Sequence, residues 1–258
     1  MSLIPTTLYI HGGPGLNTAV ERAWFGDQLP IQWWEQPRFA ADTPAAFEST
    51  VDAAIGQLGQ LARKRNGAIN IVAWSFGARL AVEVAHRAPE NIASITLLAP
   101  TLCLEKSFLR LAKLLSAHGL GGEALQSAIN SIHVADRHEH FVKLVIALLS
   151  IPNLFRNYWA PNAEASCTRH LTEAAKTDWF DFATFAAISR DIFDRPLITK
   201  ELTEIRSIRI VAGRHDPYFE PDVDLSVWRA LFPGALVDIV DAGHMIPFER
   251  PATEWLMV

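Results

Sequence analysis

Three side chains that lie far apart in the 258-residue sequence have the types needed for nucleophilic catalysis: Ser75, Asp216 and His244. A serine hydroxyl is a weak nucleophile at neutral pH until a base accepts its proton, and imidazole is a common base for this task. A carboxylate beside the imidazole fixes its tautomer and stabilises the charge that the proton brings. If the fold brings these groups together, they could attack a carbonyl group and form an acyl-enzyme.

The elements that must position these residues are three apolar runs of strand length. They are Ile69–Trp74, Ile205–Ala212 and Leu236–Val240, and one of the three residues follows closely after each run. The carboxyl ends of parallel strands meet at the same edge of a sheet. The pattern therefore predicts that the three side chains converge at one edge.

Other residues could fill the acid and base positions. The alternatives for the acid are Asp222, Asp224, Asp241 and Glu105, and the alternative for the base is His215. The first three lie farther from a strand end or beside the histidine, Glu105 follows the preceding strand, and His215 is on the loop of the acid. Asp216 and His244 remain the better candidates.

The serine lies at a predicted junction between a strand and the helix Ala78–Ala88, with Ala73 and Gly77 two positions away on either side. A sharp strand-to-helix turn strains the backbone and crowds its neighbours, so it favours small flanking residues. Such a turn would expose the hydroxyl of Ser75 and aim the Phe76 amide and the positive end of the helix at the same point. An ordinary N-cap serine gives a similar local pattern.

A second loop rich in backbone amides follows the first predicted strand, Thr7–Ile10. The run His11-Gly12-Gly13-Pro14-Gly15 can neither continue a strand nor start a helix at once, so it predicts a tight loop with exposed amides. We expect His11 itself to have a structural role.

The first hundred residues alternate between strands and helices, which predicts a mostly parallel sheet with helices on both faces. Thr43 and Pro44 have the residue types of a helix start, and alternation resumes near residue 201. Between them, residues 101–200 read as consecutive helices. We therefore predict an α/β core of about six strands formed by residues 1–100 and 201–258, with a helical cap formed by residues 101–200.

The segment Ala73-Trp74-Ser75-Phe76-Gly77 resembles the nucleophile elbow of the α/β-hydrolase family, G-x-S-x-G, with alanine in the first position. The glycine-rich loop is similar to the oxyanion loop of that family. The resemblance implies that the amides of Gly13 and Phe76 would hold an oxyanion. The H-G-G-P-G form is similar to that of the prolyl iminopeptidase branch, whereas Glu35-Gln36-Pro37-Arg38-Phe39 departs from the D-x-x-G-x-G-x-S-like loop common after the second strand.

The family resemblance implies a serine hydrolase that needs no cofactor and acts on a small carboxylic ester or thioester. We expect Trp74, Phe76 and aromatic residues of the cap to surround an apolar acyl group. One alternative is a prolyl iminopeptidase-like aminopeptidase, for which cap carboxylates would bind the substrate ammonium; those available are Glu164, Glu173, Asp178, Asp181 and Asp191. A second alternative is a ligand-binding protein of the same fold without hydrolytic activity.

Composition excludes several other classes. The net charge of −5 offers no basic surface for nucleic acid, and no apolar run approaches a membrane span. The two cysteines lack metal-ligand spacing, and we expect the group His133, Asp136, His138, Glu139 and His140 to be a solvated helix start rather than a metal site. Met1–Pro5 lacks the basic residues followed by an apolar stretch that mark a secretory signal, so we predict a cytoplasmic protein.

Overall fold

The computed structural model describes residues 5–131, 137–193, 195–205 and 207–256. These residues form one six-stranded, all-parallel sheet, which confirms the predicted fold class. The strands are β1 (Thr7–Ile10), β2 (Ile31–Trp34), β3 (Ile69–Trp74), β4 (Ile92–Leu98), β5 (Ile208–Gly213) and β6 (Leu236–Val240). Their order across the sheet is β2-β1-β3-β4-β5-β6. The chain order therefore reverses between β1 and β3, and ligands of open α/β sheets bind at such a point.

Helices cover both faces of the sheet. Those of the core are α1 (Ala19–Phe25), α2 (Ala46–Arg65), α3 (Gly77–Arg87), α9 (Pro221–Leu231), α10 (Ile246–Glu249) and α11 (Ala252–Trp255). Five more lie between β4 and β5: α4 (Leu104–Ala117), α5 (Gly122–Ser131), α6 (Arg137–Leu149), α7 (Glu164–Ala174) and α8 (Phe182–Phe193). We call α4–α8 with their connections the helical insertion. The division into a core and a cap domain at residues 101 and 200 remains a prediction.

Alternate side chains of the central strands enter two hydrophobic clusters. Ile71 and Ala73 pack on one face with α2, α3 and α9, and Val72 and Trp74 pack on the other face with α1, α10 and α11. This is the alternation expected of a strand that is buried on both sides, and it explains the continuous apolar run in the sequence. Helices of the insertion contribute to both clusters, so they are packed against the sheet layers.

The start of α2 differs from the sequence prediction. The helix begins at Ala46, after Ala45 with a left-handed φ of 51°, and not directly after Thr43. The Asp191 side chain on α8 accepts hydrogen bonds from the Phe47 and Glu48 amides at 2.9 and 3.3 Å. The free amides of the first helical turn are thus satisfied by a residue distant in sequence, which no local pattern could indicate.

No helix in the described part of the chain is long and apolar enough to cross a membrane.

Candidate active site

Ser75 lies in a sharp turn between β3 and α3. Its φ is 53°, in the left-handed region that residues other than glycine rarely adopt. Its amide donates to the Leu98 carbonyl at 2.9 Å, and its carbonyl accepts from the Thr101 amide at 3.1 Å. A Cβ on Gly77 would lie 2.4 Å from the Ile10 carbonyl oxygen, so the close approach of α3 to β1 requires glycine there.

The three residues selected from the sequence lie in one line of hydrogen bonds. His244 Nε2 lies 2.8 Å from Ser75 Oγ, and His244 Nδ1 lies 2.8 Å from Asp216 Oδ2. All three are buried, with 3 to 7% of each residue exposed. If Nδ1 donates to the carboxylate, Nε2 is free to accept the serine proton, which is the tautomer that base catalysis requires.

The loop that carries the imidazole is held from two sides. The His244 amide donates to the Tyr158 carbonyl of the insertion at 2.6 Å, and the Trp74 indole Nε1 donates to the His244 carbonyl at 2.9 Å. The backbone of this loop is therefore fixed both to the strand that precedes Ser75 and to the helical insertion. Such support restricts the imidazole to one orientation.

A single carboxylate organises the backbone around this histidine. Glu249 accepts from the Gly243 amide at 3.0 Å, the Met245 amide at 3.2 Å and the Ala160 amide at 2.9 Å. Burial raises the pKa of Glu249 above its ordinary value, although the three amides act in the opposite direction. This role of Glu249 could not be predicted from local sequence patterns, because its amide partners are set by the tertiary fold.

Two tyrosines pack against the same imidazole. The Tyr218 ring meets the His244 ring edge-on at 4.7 Å, and the Tyr158 ring lies 5.9 Å away. Their hydroxyls are 2.7 Å apart, and burial raises the pKa of Tyr158 to about 12. Asp216 Oδ1 accepts from the Tyr218 amide at 2.8 Å, so both carboxylate oxygens of Asp216 are used. These rings exclude water from the imidazole and its carboxylate.

The glycine-rich loop lies over Ser75. A Cβ on Gly12 would be 3.4 Å from the Ser75 Cβ, which leaves room for little more than backbone. His11 Nδ1 donates to the Gly12 carbonyl at 2.6 Å, and its Nε2 accepts from the Gln36 amide at 3.4 Å. Burial lowers the pKa of His11, in agreement with a neutral structural histidine. Among the described residues, no group accepts a hydrogen bond from the amide of Gly13 or of Phe76.

A cavity of about 310 Å³ opens at Ser75 and His244. Its walls come from the glycine-rich loop, the elbow and the insertion, and most of the lining side chains are apolar or aromatic. They include Trp74, Leu104, Phe108, Leu148, Phe155, Trp159, Trp179, Phe180 and Phe185. A concave apolar site with a few polar groups is typical of small-molecule binding. His170 also lines this cavity, and neither it nor the tyrosine pair was singled out by the sequence.

The alternative acids and base have other partners. Asp224 forms an ion pair with Arg110, Glu105 with Arg137, and Asp241 Oδ1 lies 2.9 Å from His215 Nε2. Asp222 lies in the first turn of α9. Asp224, Glu105, Asp241 and His215 are thus engaged with partners other than Ser75, and Asp222 is exposed.

Within the described ranges, no group of three or more His, Cys, Asp or Glu residues could hold a metal ion. Two residues of the histidine-rich group, His133 and Asp136, lie outside those ranges.

The fold agrees with a comparison against known families. A model of the alpha/beta hydrolase fold matches residues 8–251, and the chain belongs to this family. None of the curated protein sequences with which the chain was compared matches it.

Several solved structures share the fold at low sequence identity. A proline iminopeptidase-related protein from Thermus thermophilus is 24% identical, with a TM-score of 0.66 over 97% of this chain and 86% of its own. A thermophilic esterase from Thermogutta terrifontis, solved with malate bound, is 17% identical, with a TM-score of 0.61 over 96% and 85%. The enol-lactonase from Burkholderia xenovorans is 14% identical, with a TM-score of 0.57 over 95% and 86%. At these identities the likeness concerns the fold alone.

Proposed function

We propose that this protein is a serine hydrolase that cleaves a small carboxylic ester or thioester through an acyl-enzyme. The observation that carries the proposal is the pair of 2.8 Å contacts that link Ser75, His244 and Asp216. In the first step the Ser75 oxygen attacks the carbonyl carbon while His244 takes the proton of the hydroxyl. Asp216 stabilises the resulting imidazolium. His244 then gives that proton to the leaving alcohol or thiol. A water molecule, activated by His244, releases the acid.

The oxyanion of each tetrahedral intermediate would be held by the amides of Gly13 and Phe76. Support comes from the glycine-rich loop over Ser75 and from the position of Phe76 directly before α3, whose positive end adds to the field. Each such donor contributes about 100- to 1000-fold in rate in enzymes of this kind. Fixed backbone donors need no reorganisation when the charge develops, which is why they are effective.

The apolar cavity fits a substrate whose acyl group is of modest size. Its volume of about 310 Å³ is small for a ligand pocket. Trp74 forms part of its wall near the imidazole, so we assign it to substrate binding, together with aromatic side chains of the insertion.

The aminopeptidase alternative is less well supported. It requires a carboxylate in the cavity for the substrate ammonium, and no described Asp or Glu lines that cavity. The five carboxylates considered from the sequence have other partners. Glu164 pairs with Arg156, Glu173 with Lys176, Asp178 and Asp181 with Arg38, and Asp191 with Arg195. An unpaired ammonium in this apolar cavity would be costly.

The test replaces the nucleophile and follows both labelling and turnover. We expect Ser75→Ala to abolish labelling by a fluorophosphonate probe and to lower kcat for p-nitrophenyl butyrate by about 10⁶-fold, the usual effect of losing a triad nucleophile. Ser226→Ala, on the exposed side of α9, is the matched control and should behave as wild type. Side-by-side assays with proline β-naphthylamide separate the ester and aminopeptidase alternatives.

The proposal fails if Ser75→Ala retains wild-type ester hydrolysis. Recovery of intact ligand after saturating incubation with the wild-type protein, without label on Ser75, would instead support a binding protein of the same fold.

A further inference from the structure

One polar side chain in the cavity has no function in the chemistry above. His170 on α7 lines the cavity, and only 5% of the residue is exposed. Its ring meets Phe248 edge-on at 4.6 Å, Trp159 at 5.5 Å and Trp179 at 6.1 Å. Burial of an imidazole in such apolar surroundings costs free energy unless its nitrogens form hydrogen bonds.

The two nitrogens of this ring have different surroundings. Nδ1 is fully enclosed, and no described residue offers it a hydrogen bond. Nε2 is not enclosed in this way, and it also has no partner among the described residues. Because His170 is otherwise buried and lines the cavity, the cavity is the space to which Nε2 has access.

The protonation state follows from burial. Burial lowers the pKa of His170 to about 4, so the ring is neutral near pH 7 and carries one N–H and one lone pair. An orphaned N–H in a protein interior is rarer than an under-used acceptor. The enclosed Nδ1 therefore holds the lone pair, and Nε2 carries the hydrogen. The cavity wall thus presents a donor that no residue in the described part of the chain satisfies.

Three other polar side chains of the wall each have a hydrogen-bond partner. The hydroxyls of Tyr158 and Tyr218 are hydrogen-bonded to each other, and the Trp74 indole donates to a backbone carbonyl. Among the described residues, no ring contact joins His170 directly to His244; the two are connected through other rings, for example Phe248 and Trp74. A ligand bound at Ser75 would therefore meet the donor with a part other than its scissile carbonyl, along the apolar lining of the cavity.

We propose that His170 is a specificity-determining residue whose Nε2–H donates to a second oxygen of the substrate, on the acyl chain away from the scissile carbonyl. This inference rests on the proposed hydrolase function and narrows its substrate class to oxygen-substituted acyl esters or thioesters. A plain alkyl chain leaves the donor unpaired, whereas a keto oxygen pairs with it. A site built to hydrogen-bond a substrate discriminates against the analogue that lacks the group.

The experiment compares p-nitrophenyl heptanoate with the p-nitrophenyl esters of 4-oxo-, 5-oxo- and 6-oxoheptanoic acid. For the wild-type protein we expect kcat/KM for the best oxo ester to exceed that for heptanoate by about tenfold, the value of one net hydrogen bond. His170→Phe should reduce that ratio to about one, and His170→Gln, which keeps a donor, should retain most of it. His170→Leu replaces His170→Phe if the latter does not fold.

The matched control is Phe180→Leu, which alters the shape of the same cavity without removing a polar atom. We expect it to change kcat/KM for oxo and alkyl esters in parallel. The inference is overturned if the wild type prefers no oxo ester, or if the preference persists unchanged in the variants without a donor.

A binding measurement separates this inference from the proposed function. If no ester is hydrolysed and the fluorophosphonate probe leaves Ser75 unlabelled, the proposed function has failed. Titration of heptane-2,6-dione and heptan-2-one, followed by tryptophan fluorescence, then tests His170 alone. Tighter binding of the dione by the wild type, lost in His170→Phe, supports the donor, and equal binding of the two ketones by the wild type overturns it.

Discussion

The backbone at Ser75 is strained in the conformation that presents the hydroxyl at the sheet edge. Its φ of 53° brings the side chain out of the turn, and the flanking Ala73 and Gly77 give the space for it. These small neighbours were visible in the sequence, and so were the residue types of Asp216 and His244. Residues that support the site, such as Glu249 and Tyr218, were not visible, because their partners come from other parts of the chain.

The strain at Ser75 gives a prediction that compares two inactive variants. A left-handed conformation costs an L-residue with a Cβ about 1–2 kcal/mol, and glycine escapes this cost. Glycine loses about 0.5–1 kcal/mol more chain entropy than alanine on folding, which offsets part of the gain. On balance we expect Ser75→Gly to be more stable than Ser75→Ala by up to about 1.5 kcal/mol in urea unfolding. Lower stability of Ser75→Gly than of Ser75→Ala would contradict strain at this turn.

At the scale of elements, all six strands were predictable from apolar runs of strand length bounded by turn residues. The start of α2 was not, because the signal of Thr43 and Pro44 is overridden by a tertiary cap from Asp191 on α8. The helix α9 and the short α10 were also not predicted. Contacts between helices that are distant in sequence therefore determine helix boundaries that local sequence patterns do not.

This tertiary cap joins the helical insertion to the core, and its removal should be measurable. We expect Asp191→Ala to lower the free energy of unfolding by about 1–2 kcal/mol, because two amides at the positive end of α2 lose their acceptor. Asp191→Asn keeps an acceptor oxygen and should retain most of the stability.

The control is Asp178→Ala, which removes an exposed ion pair with Arg38 and should cost less than about 1 kcal/mol. If urea unfolding gives the same loss for Asp191→Ala and Asp178→Ala, the cap does not stabilise the fold.

At the scale of the whole molecule, one buried acid on α1 couples stability to pH. Glu21 on α1 is 2% exposed and accepts a hydrogen bond from the Tyr9 hydroxyl at 3.4 Å. Burial raises the pKa of Glu21 to about 8. The folded protein thus keeps a proton on this group that the unfolded chain releases near its ordinary pKa, about 4.3.

Between these two pKa values the folded state binds more protons, so the stability contributed by Glu21 is lost as the pH rises. The slope approaches about 1.4 kcal/mol per pH unit. Glu21→Gln keeps the shape and removes the titration, so we expect the wild type to lose stability relative to this variant from about pH 5 to pH 8. Urea unfolding across this range measures the difference. Glu90→Gln, on the surface, is the control, and a pH-independent difference for Glu21→Gln contradicts the prediction.

The contact between the Tyr158 carbonyl and the His244 amide restricts how a substrate can enter. A Cβ on Gly243 would lie 2.3 Å from that same carbonyl oxygen, so the two backbones touch with no space between them. An outward swing of the chain at Tyr158 would detach the base from its support at the moment of entry. The entrance to the cavity is better assigned to Leu149 and Phe155, which line the cavity and are 44% and 37% exposed. Their side chains can change rotamer to admit a substrate while His244 stays in position.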